Sequence, residues 1–245
     1  MRLLFQGTVP KVLEYPGDNE DAAAVDEARG RIALSDGASE SYDSKTWSNL
    51  LVKHFVRDPR VGPGWVRRSV AEFADRVNGD ELSWSKQASF DRGTFATLLG
   101  IRWDPSNAVV DCWCIGDSLI ALLDGRDLVE CLPYTDSSDF QRRPQLLSTN
   151  HTLNAFVSKS DFRRRLHHQW RVDRLHAPVL VCMTDGIAEW ALRESGSRPG
   201  VWEQLAGIGT PDELAQLVTS ERAAHNMRVD DVTLVTVGLD LEPEA

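Results

Sequence analysis

The chain has no CxxC pair, no GxGxxG, no Walker-type lysine loop and no GxSxG. Each absence removes a class of function. Without paired thiols a structural zinc site is not expected. Without a glycine-rich phosphate loop or a nucleophile elbow, nucleotide-binding and serine-hydrolase readings lose their signatures. No Pro/Gly/Ser-rich linker or low-complexity tract divides the 245 residues, so 1–245 reads as a single domain. No apolar run approaches the ~20 residues of a membrane span. The run in the opening MRLLFQGTVPK is too short for a secretory signal. No membrane partner is expected, and the expected location is cytoplasmic. The net charge of −10 argues against a nucleic-acid partner. Cys112, Cys114, Cys131 and Cys182 all fall in strand-like runs and read as reduced core residues.

What the chain does have is a pair of strand ends. Ile32-Ala33-Leu34 is a short apolar run that stops at Ser35-Asp36-Gly37. Val179 to Met183 is a second such run, and it stops at Thr184-Asp185-Gly186. A carboxylate at the tip of a buried strand is aimed at one place, and the following glycine lets a ligand approach the backbone. Either Asp-Gly alone also reads as an ordinary turn. Residues 8–15 read as a first strand. Trp47, Leu50, Leu51, His54 and Phe55 form the apolar stripe of a helix over 44–56, with His54 a core residue. A second helix is expected from about Pro63, with Trp65, Val66, Val70, Phe73 and Val77 inward and Asn78-Gly79-Asp80 interrupting it. Residues 94–132 read as an antiparallel meander with turn chemistry at each joint. Residues 134–176 read as polar, irregular and arginine-rich. A capped helix begins at Thr210, and Val232 to Val237 form a closing strand behind Asp230-Asp231. Strands joined mostly as hairpins, with helices in separate blocks, point to an α+β layered fold rather than an alternating one.

Asp21, Asp36, Asp117, Asp185 and Asp230 all sit at strand ends. Singly, each is equally a turn residue or a helix cap. Together they form an all-oxygen set with no histidine or thiolate, the kind that suits Mg²⁺ or Mn²⁺. Crowded carboxylates repel one another, so gathering them makes sense when cations lie between them.

The motifs also stand in a familiar order. Asn19-Glu20-Asp21-Ala22, Ala33-Leu34-Ser35-Asp36-Gly37, Gly93-Thr94-Phe95-Ala96 and Gly116-Asp117-Ser118 are followed by Ser148-Thr149-Asn150-His151-Thr152, Thr184-Asp185-Gly186 and Asp230-Asp231-Val232-Thr233. The chain thereby resembles the metal-dependent protein serine/threonine phosphatases of type 2C, the PPM family, in its bacterial form. The resemblance implies a four-layer αββα sandwich, two antiparallel sheets flanked by helices, with a metal cleft at one end. It implies two Mn²⁺ or Mg²⁺ ions, with a more labile third. Asp36 would bridge the ions with the Gly37 carbonyl beside it, and Asp185 and Asp230 would hold the first ion. Glu20 and Asp21 would bind metal-coordinated water, and Asp117 would serve the third ion. The implied activity is hydrolysis of protein phosphoserine and phosphothreonine by direct attack of a metal-bridging water, with Asp21, Asp36 and Asp185 as the catalytic set. A phosphoprotein substrate and a paired Ser/Thr kinase are the implied partners.

Four positions depart from the pattern. Pro16 stands where the family often has a phosphate-binding arginine, and Ala38 where many members have histidine. Glu189 replaces an aspartate, and Asn150 replaces another. Asp231 occupies the family's asparagine position, so Asp231→Asn is expected to be mild. The alternative reading is a catalytically weak or inactive domain that binds phosphoproteins or a partner kinase; a third is a phosphatase for small phosphorylated molecules. The interval 134–176 matches the family's flap. One of Arg163, Arg164 or Arg165 is the candidate to grip substrate phosphate in place of Pro16, and His167 or His168 is a candidate proton donor. The competing reading of these arginines is a solvated basic face, or pairs with Asp161 and Asp173.

Overall fold

The computed structural model describes residues 1–77 and 84–240, so the expected interruption at Asn78-Gly79-Asp80 lies outside the described residues. The first sheet contains β1 (Arg2–Val9), β7 (Leu119–Asp124), β8 (Asp127–Leu132), β11 (Pro178–Met183) and β12 (Val232–Gly238), in the order β1-β12-β11-β7-β8. The second contains β2 (Ala22–Asp26), β3 (Arg31–Ser35), β5 (Leu98–Asp104), β6 (Val109–Ile115) and β10 (His167–Arg171), in the order β10-β6-β5-β3-β2. A two-stranded pair joins β4 (Phe95–Ala96) to β9 (Leu147–Ser148). All pairings are antiparallel.

Strand periodicity builds the layers. Ile32 and Leu34, with Leu99, Ile101, Val110, Cys112 and Cys114, point into the space between the sheets, where Ile120, Leu122, Leu180, Cys182, Val235 and Val237 meet them. Ala33, Leu98, Trp113 and Ile115 point the other way. They pack under α1 (Ser44–Arg57), α2 (Pro63–Arg76) and α3 (Trp84–Arg92), against Trp47, Leu50, Phe55, Phe73 and Phe90. The far face of the first sheet is covered by α5 (Asp185–Ser195), α6 (Val201–Ala206) and α7 (Pro211–Ala223) through Ile187, Trp190, Leu205, Leu214 and Val218. Both faces of each sheet are thus buried. This is why the strands read as nearly continuous apolar runs rather than alternating ones. The result is the four-layer αββα sandwich of an α+β fold.

Several sequence expectations change in detail. The first strand is Arg2–Val9 rather than 8–15, because Pro10 has no N–H to continue the ladder. The run from Thr94 breaks at Thr97 into β4 and β5. The expected meander is two hairpins, β5–β6 in the second sheet and β7–β8 in the first. Gly116-Asp117-Ser118 carries the chain from one sheet to the other. Gly116 has φ +107°, and a Cβ there would lie 2.6 Å from Thr97 Cγ2, so only glycine fits this turn. Within 134–176, α4 (Phe162–Leu166) and β10 are regular, and β10 extends the second sheet beside β6. The capping box of α7 is present: Thr210 Oγ1 accepts from the Glu213 N–H, and Glu213 Oε2 accepts from the Thr210 N–H. His54 is buried between Ser69 and Glu72, a core residue as its place in the stripe indicated. The four cysteines are free and buried.

Candidate functional site

Antiparallel register brings the strand-end aspartates to one end of the sandwich. Ala22 pairs with Ser35, Leu98 with Ile115, Met183 with both Leu119 and Leu234, and Val9 with Val232. Asp21, Asp36 and Asp117 therefore leave the second sheet at the same end at which Asp185 and Asp230 adjoin the first. Gly37 is needed at this end. A Cβ there would lie 2.9 Å from Glu20 O and from both Cβ and O of Ser44, so β3 and the start of α1 close on each other only without a side chain.

Asp21 joins the two sheets. Its Oδ2 accepts from Thr184 Oγ1 at 2.9 Å and from Thr233 Oγ1 at 2.8 Å, while its own N–H donates to Asn19 Oδ1 at 2.8 Å. Thr97 holds Asp36 by its backbone: the Asp36 N–H donates to Thr97 Oγ1 at 2.8 Å, and Asp36 O accepts from the Thr97 N–H at 2.9 Å. Asp185 opens the first turn of α5, where the positive end of the helix dipole favours a carboxylate. Glu20 accepts from Lys11 Nζ at 2.9 Å and from Ser44 Oγ.

The electrostatics of this end are strained. Burial pushes Asp36 well above the ordinary carboxylate range, and the charges of Asp21, Asp230 and Asp117 push it further. Burial also brings Asp21 up to about 7, against its threonine hydrogen bonds, with Asp231 and Asp230 adding to the rise. Asp117 is raised by burial. Glu20 moves the other way: burial would raise it, but hydrogen bonds from Ser39, Ser44 and Lys11 prevail. Asp21 Oδ1 and Asp185 Oδ1 are buried with no hydrogen-bond partner. A buried acceptor left unsatisfied costs about 1–3 kcal/mol, and a hard divalent cation is the group that satisfies carboxylate oxygens in such numbers. The residues present therefore fit such ions chemically. They are gathered rather than closed, since among the described residues no three His, Cys, Asp or Glu side chains form a ready-made cage.

Two basic residues at this end escaped the motif reading. Lys11 follows β1 and spans Glu20 and Ser39, at 2.9 and 2.8 Å. Arg228 contacts Asp185 and lies 3.4 Å from Asp230 Oδ2. The signal for Arg228 was its place in the run leading to Asp230; no spacing rule marks it. Asp231 also differs from expectation. Its two oxygens accept backbone N–H groups, Oδ1 from Lys11 at 2.7 Å and Oδ2 from Glu20 at 2.9 Å. An amide nitrogen in either place would face a donor, so these contacts argue for a larger effect of Asp231→Asn than its motif position implies. Glu189 pairs with Arg193 one turn along α5, at 2.6 Å. Asn150 accepts from Thr152 as a turn cap.

The flap arginines lie elsewhere. Arg163 sits over the Trp113 ring, 5.5 Å from its centroid, and Arg165 is 3.9 Å from Asp161. Among the described residues no hydrogen bond or ion pair joins Arg163, Arg164 or Arg165 to the strand-end aspartates. His167 belongs with them, tilted against Trp113 and 3.2 Å from Asp111; His168 pairs with Cys112 in the β10–β6 ladder. Asp111 centres this group. It is 4% exposed and accepts from Arg102 Nε at 2.9 Å and Gln169 Nε2 at 2.6 Å, its cross-strand neighbours.

No protein-family model matches the sequence, and no curated protein matches it. Solved structures do match. The serine/threonine phosphatase PstP/Ppp of Mycobacterium tuberculosis superposes with a TM-score of 0.59 at 17% identity, covering 98% of this chain and 99% of that one. The catalytic domain of PstP in complex with 2 manganese ions gives 0.58 at 16% identity, covering 98% and 100%. The photosystem II phosphatase PBCP gives 0.58 at 14% identity, covering 97% and 99%. The chain has the fold of the PPM-type, type 2C serine/threonine phosphatases, and at these identities the likeness is one of fold.

Proposed function

We propose that this chain is a metal-dependent phosphatase that hydrolyses phosphoserine and phosphothreonine on proteins. The observation that carries the reading is the gathering of Asp21, Asp36, Asp117, Asp185 and Asp230 from two sheets at one end, with buried oxygens of Asp21 and Asp185 left unpartnered. Asp36 and the Gly37 carbonyl would help to hold two Mn²⁺ or Mg²⁺ ions. Asp185 and Asp230 would hold one of them, Glu20 and Asp21 would act through coordinated water, and Asp117 would serve a third ion. When bound, such ions supply an activated water and neutralise charge on the phosphate. The chain's own residues orient that set. Thr184 and Thr233 hold Asp21 to the first sheet, Thr97 fixes the backbone of Asp36, and Lys11 and Ser44 fix Glu20. In this reading 1–245 is one phosphatase domain with its flap-like insertion at about 134–176, set against a Ser/Thr kinase acting on the same substrate.

Two observations favour a second reading, a phosphatase-like domain of weak or no activity that binds phosphoproteins or a partner kinase. Pro16 stands at the expected phosphate-binding position, and Arg228 occupies Asp185. The deciding experiment is turnover of a phosphopeptide and of an aryl phosphate by the purified chain, before and after exhaustive chelation and after Mn²⁺ is returned. The phosphatase reading expects phosphopeptide turnover that disappears on chelation and recovers with Mn²⁺. Full activity after chelation, or none with Mn²⁺ present, overturns it.

A further inference from the structure

A cavity of about 230 Å³ opens on the outer face of the second sheet, between the α1–α2 loop and α4. It lies away from the carboxylate end. Asp111 on its floor pairs with Arg102, four residues along the ladder from the Leu98–Ile115 pair at that end, which is roughly 13 Å of strand. Arg60 from the loop, Arg102 from β5 and Arg163 from α4 all line it. Three guanidinium groups thus meet at one cavity in a chain whose net charge is −10.

Each of the three is anchored in a way that leaves donors over. Arg102 gives Nε and Nη2 to Asp111 Oδ2, the first at 2.9 Å, which leaves Nη1. Arg60 gives Nε and Nη2 to the two oxygens of Asp58, at 2.7 and 3.3 Å, and again Nη1 is left. Arg163 lies over the Trp113 ring, 5.5 Å from its centroid. A ring face holds a guanidinium by its charge and occupies none of its N–H groups. Among the described residues the Arg163 side chain makes no hydrogen bond or ion pair. The carboxylate on the floor, by contrast, is saturated. Asp111 Oδ2 is taken by Arg102, and Oδ1 accepts from Gln169 Nε2 at 2.6 Å with His167 Nε2 at 3.2 Å. A cation entering here meets no open carboxylate oxygen, whereas an anion meets three unused donor edges.

Size and shape narrow the anion. The cavity is smaller than the ~300 Å³ at which sites for drug-sized ligands begin, so it admits a single anionic group and not a whole nucleotide. A carboxylate presents two oxygens and a phosphoryl group three, and arginine clusters are a recurring way to read phosphorylated side chains. Arg60 and Arg102 are each already matched by a carboxylate. Their remaining N–H groups supply hydrogen bonds, and Arg163 supplies the uncompensated charge.

We propose that this cavity is a phosphoryl-binding site, remote from the carboxylate end, in which Arg163 provides the charge and the forked contact and Arg60 and Arg102 provide flanking hydrogen bonds. With no open carboxylate to carry a metal, it holds a phosphoryl group without cleaving it. The group is either free phosphate or a phosphorylated side chain of another protein. The inference does not depend on the phosphatase reading.

The test is calorimetric titration of the full chain after exhaustive chelation, so that no metal at the carboxylate end draws phosphate. The probes are inorganic phosphate, a phosphoserine peptide and the same peptide without phosphate. Arg163→Ala and Arg60→Ala are each expected to weaken phosphate binding roughly three- to tenfold. Arg164→Ala removes the same charge from the same helix but does not line the cavity, and is expected to change the affinity less than about twofold. The Arg60 side chain is 86% exposed, so Arg60→Ala decides alone should Arg163→Ala fail to fold. Absence of phosphate binding by the unsubstituted chain, unchanged affinity in Arg163→Ala or Arg60→Ala, or an equal loss in Arg164→Ala overturns the proposal. So does a peptide that binds equally well without its phosphate. Tighter binding of the phosphopeptide than of inorganic phosphate assigns the site to a phosphorylated side chain, and equal binding assigns it to the free ion. Turnover of the peptide by the chelated chain would sink the metal-dependent reading and leave the phosphate titration intact.

Discussion

Asp111 lies near the start of β6 and Asp36 just past the end of β3, and the two carboxylates have opposite surroundings. Asp111 is buried among donors from neighbouring strands: Arg102, Gln169 and His167. Burial would raise it, but Gln169 and Arg102 prevail, and its acidity ends up stronger than usual. Asp36 is surrounded by its own kind and ends up far weaker as an acid. One group has brought its counter-charges with it through strand register. The other collects negative charge from two sheets and meets it with Lys11 and Arg228 at the rim. A carboxylate whose needs are met inside the fold is architecture. A set left short of positive charge has the chemistry of the cation site proposed above.

The largest expected effect sets these regions directly against each other. Asp36→Asn and Asp185→Asn should each cut kcat on a phosphopeptide by roughly 100-fold or more. Without metal, the melting temperature of Asp36→Asn should hold or rise, because a crowded charge has gone, whereas Asp185→Asn also takes a partner from Arg228 and should gain nothing. Asp111→Asn should do the reverse, leaving kcat within about twofold while lowering Tm by ~4 °C or more as Arg102 loses its partner. Steady-state kinetics and thermal melts on the variants read both halves. Near-normal kcat in Asp36→Asn would erase the distinction.

A smaller effect is expected from pH. Folded Asp21 holds its proton up to about 7, whereas the unfolded chain loses it near ~3.9. Between those values the folded state binds more protons, so the stability of the metal-free protein falls as pH rises through that window. Asp111 has the opposite sign. Its folded value lies below the ordinary one, so its contribution is present at neutral pH and is lost as pH falls through the acid range. Melts of the metal-free protein should show a Tm lower at pH 7.5 than at pH 5 by at least ~3 °C, with Mn²⁺ removing the difference. A rising Tm across that range would show that the aspartates are compensated internally after all.

The smallest effect is expected at α4. Arg163→Ala, Arg164→Ala and Arg165→Ala should each leave KM and kcat within about twofold, since Arg163 packs on Trp113 and Arg165 faces Asp161. Arg163→Ala should cost about 0.5–1 kcal/mol of stability from the lost cation–π contact. A tenfold rise in KM in any of the three would mean that the two regions act together on substrate.

The strands, the two Asp-Gly tips and the layered α+β class were legible because they depend on neighbours in sequence: apolar runs, turn residues, caps. What depended on distant partners was not. Gly116-Asp117 has the chemistry of a hairpin, and nothing local says that it crosses between sheets; only the pairing of Leu119 with Met183 does. The run Arg163-Arg164-Arg165 shows charge without showing which way α4 faces. Lys11 was hidden inside an expected strand over 8–15, when Pro10 in fact ends β1 and frees Lys11 to reach Glu20. Arg228 was invisible because an ion pair with Asp185 has no periodicity to announce it.

The hydroxyl clasp on Asp21 also sets an order of events. Its partners Thr184 and Thr233 lie 163 and 212 residues further along the chain. Thr233 is on β12, which slots between β1 and β11 rather than at an edge. During synthesis, Asp21 and Asp36 are made well before β12, the strand that fills the middle of the first sheet. Contacts of such separation form late in folding. A nascent chain that has passed Asp36 would therefore carry one part of the acidic end, and the rest would join it only once β12 is paired. The acidic end would then be completed in a single late step, so that a chain stopped before Val232 would keep its first acidic residues without the β12 hydroxyl that holds Asp21.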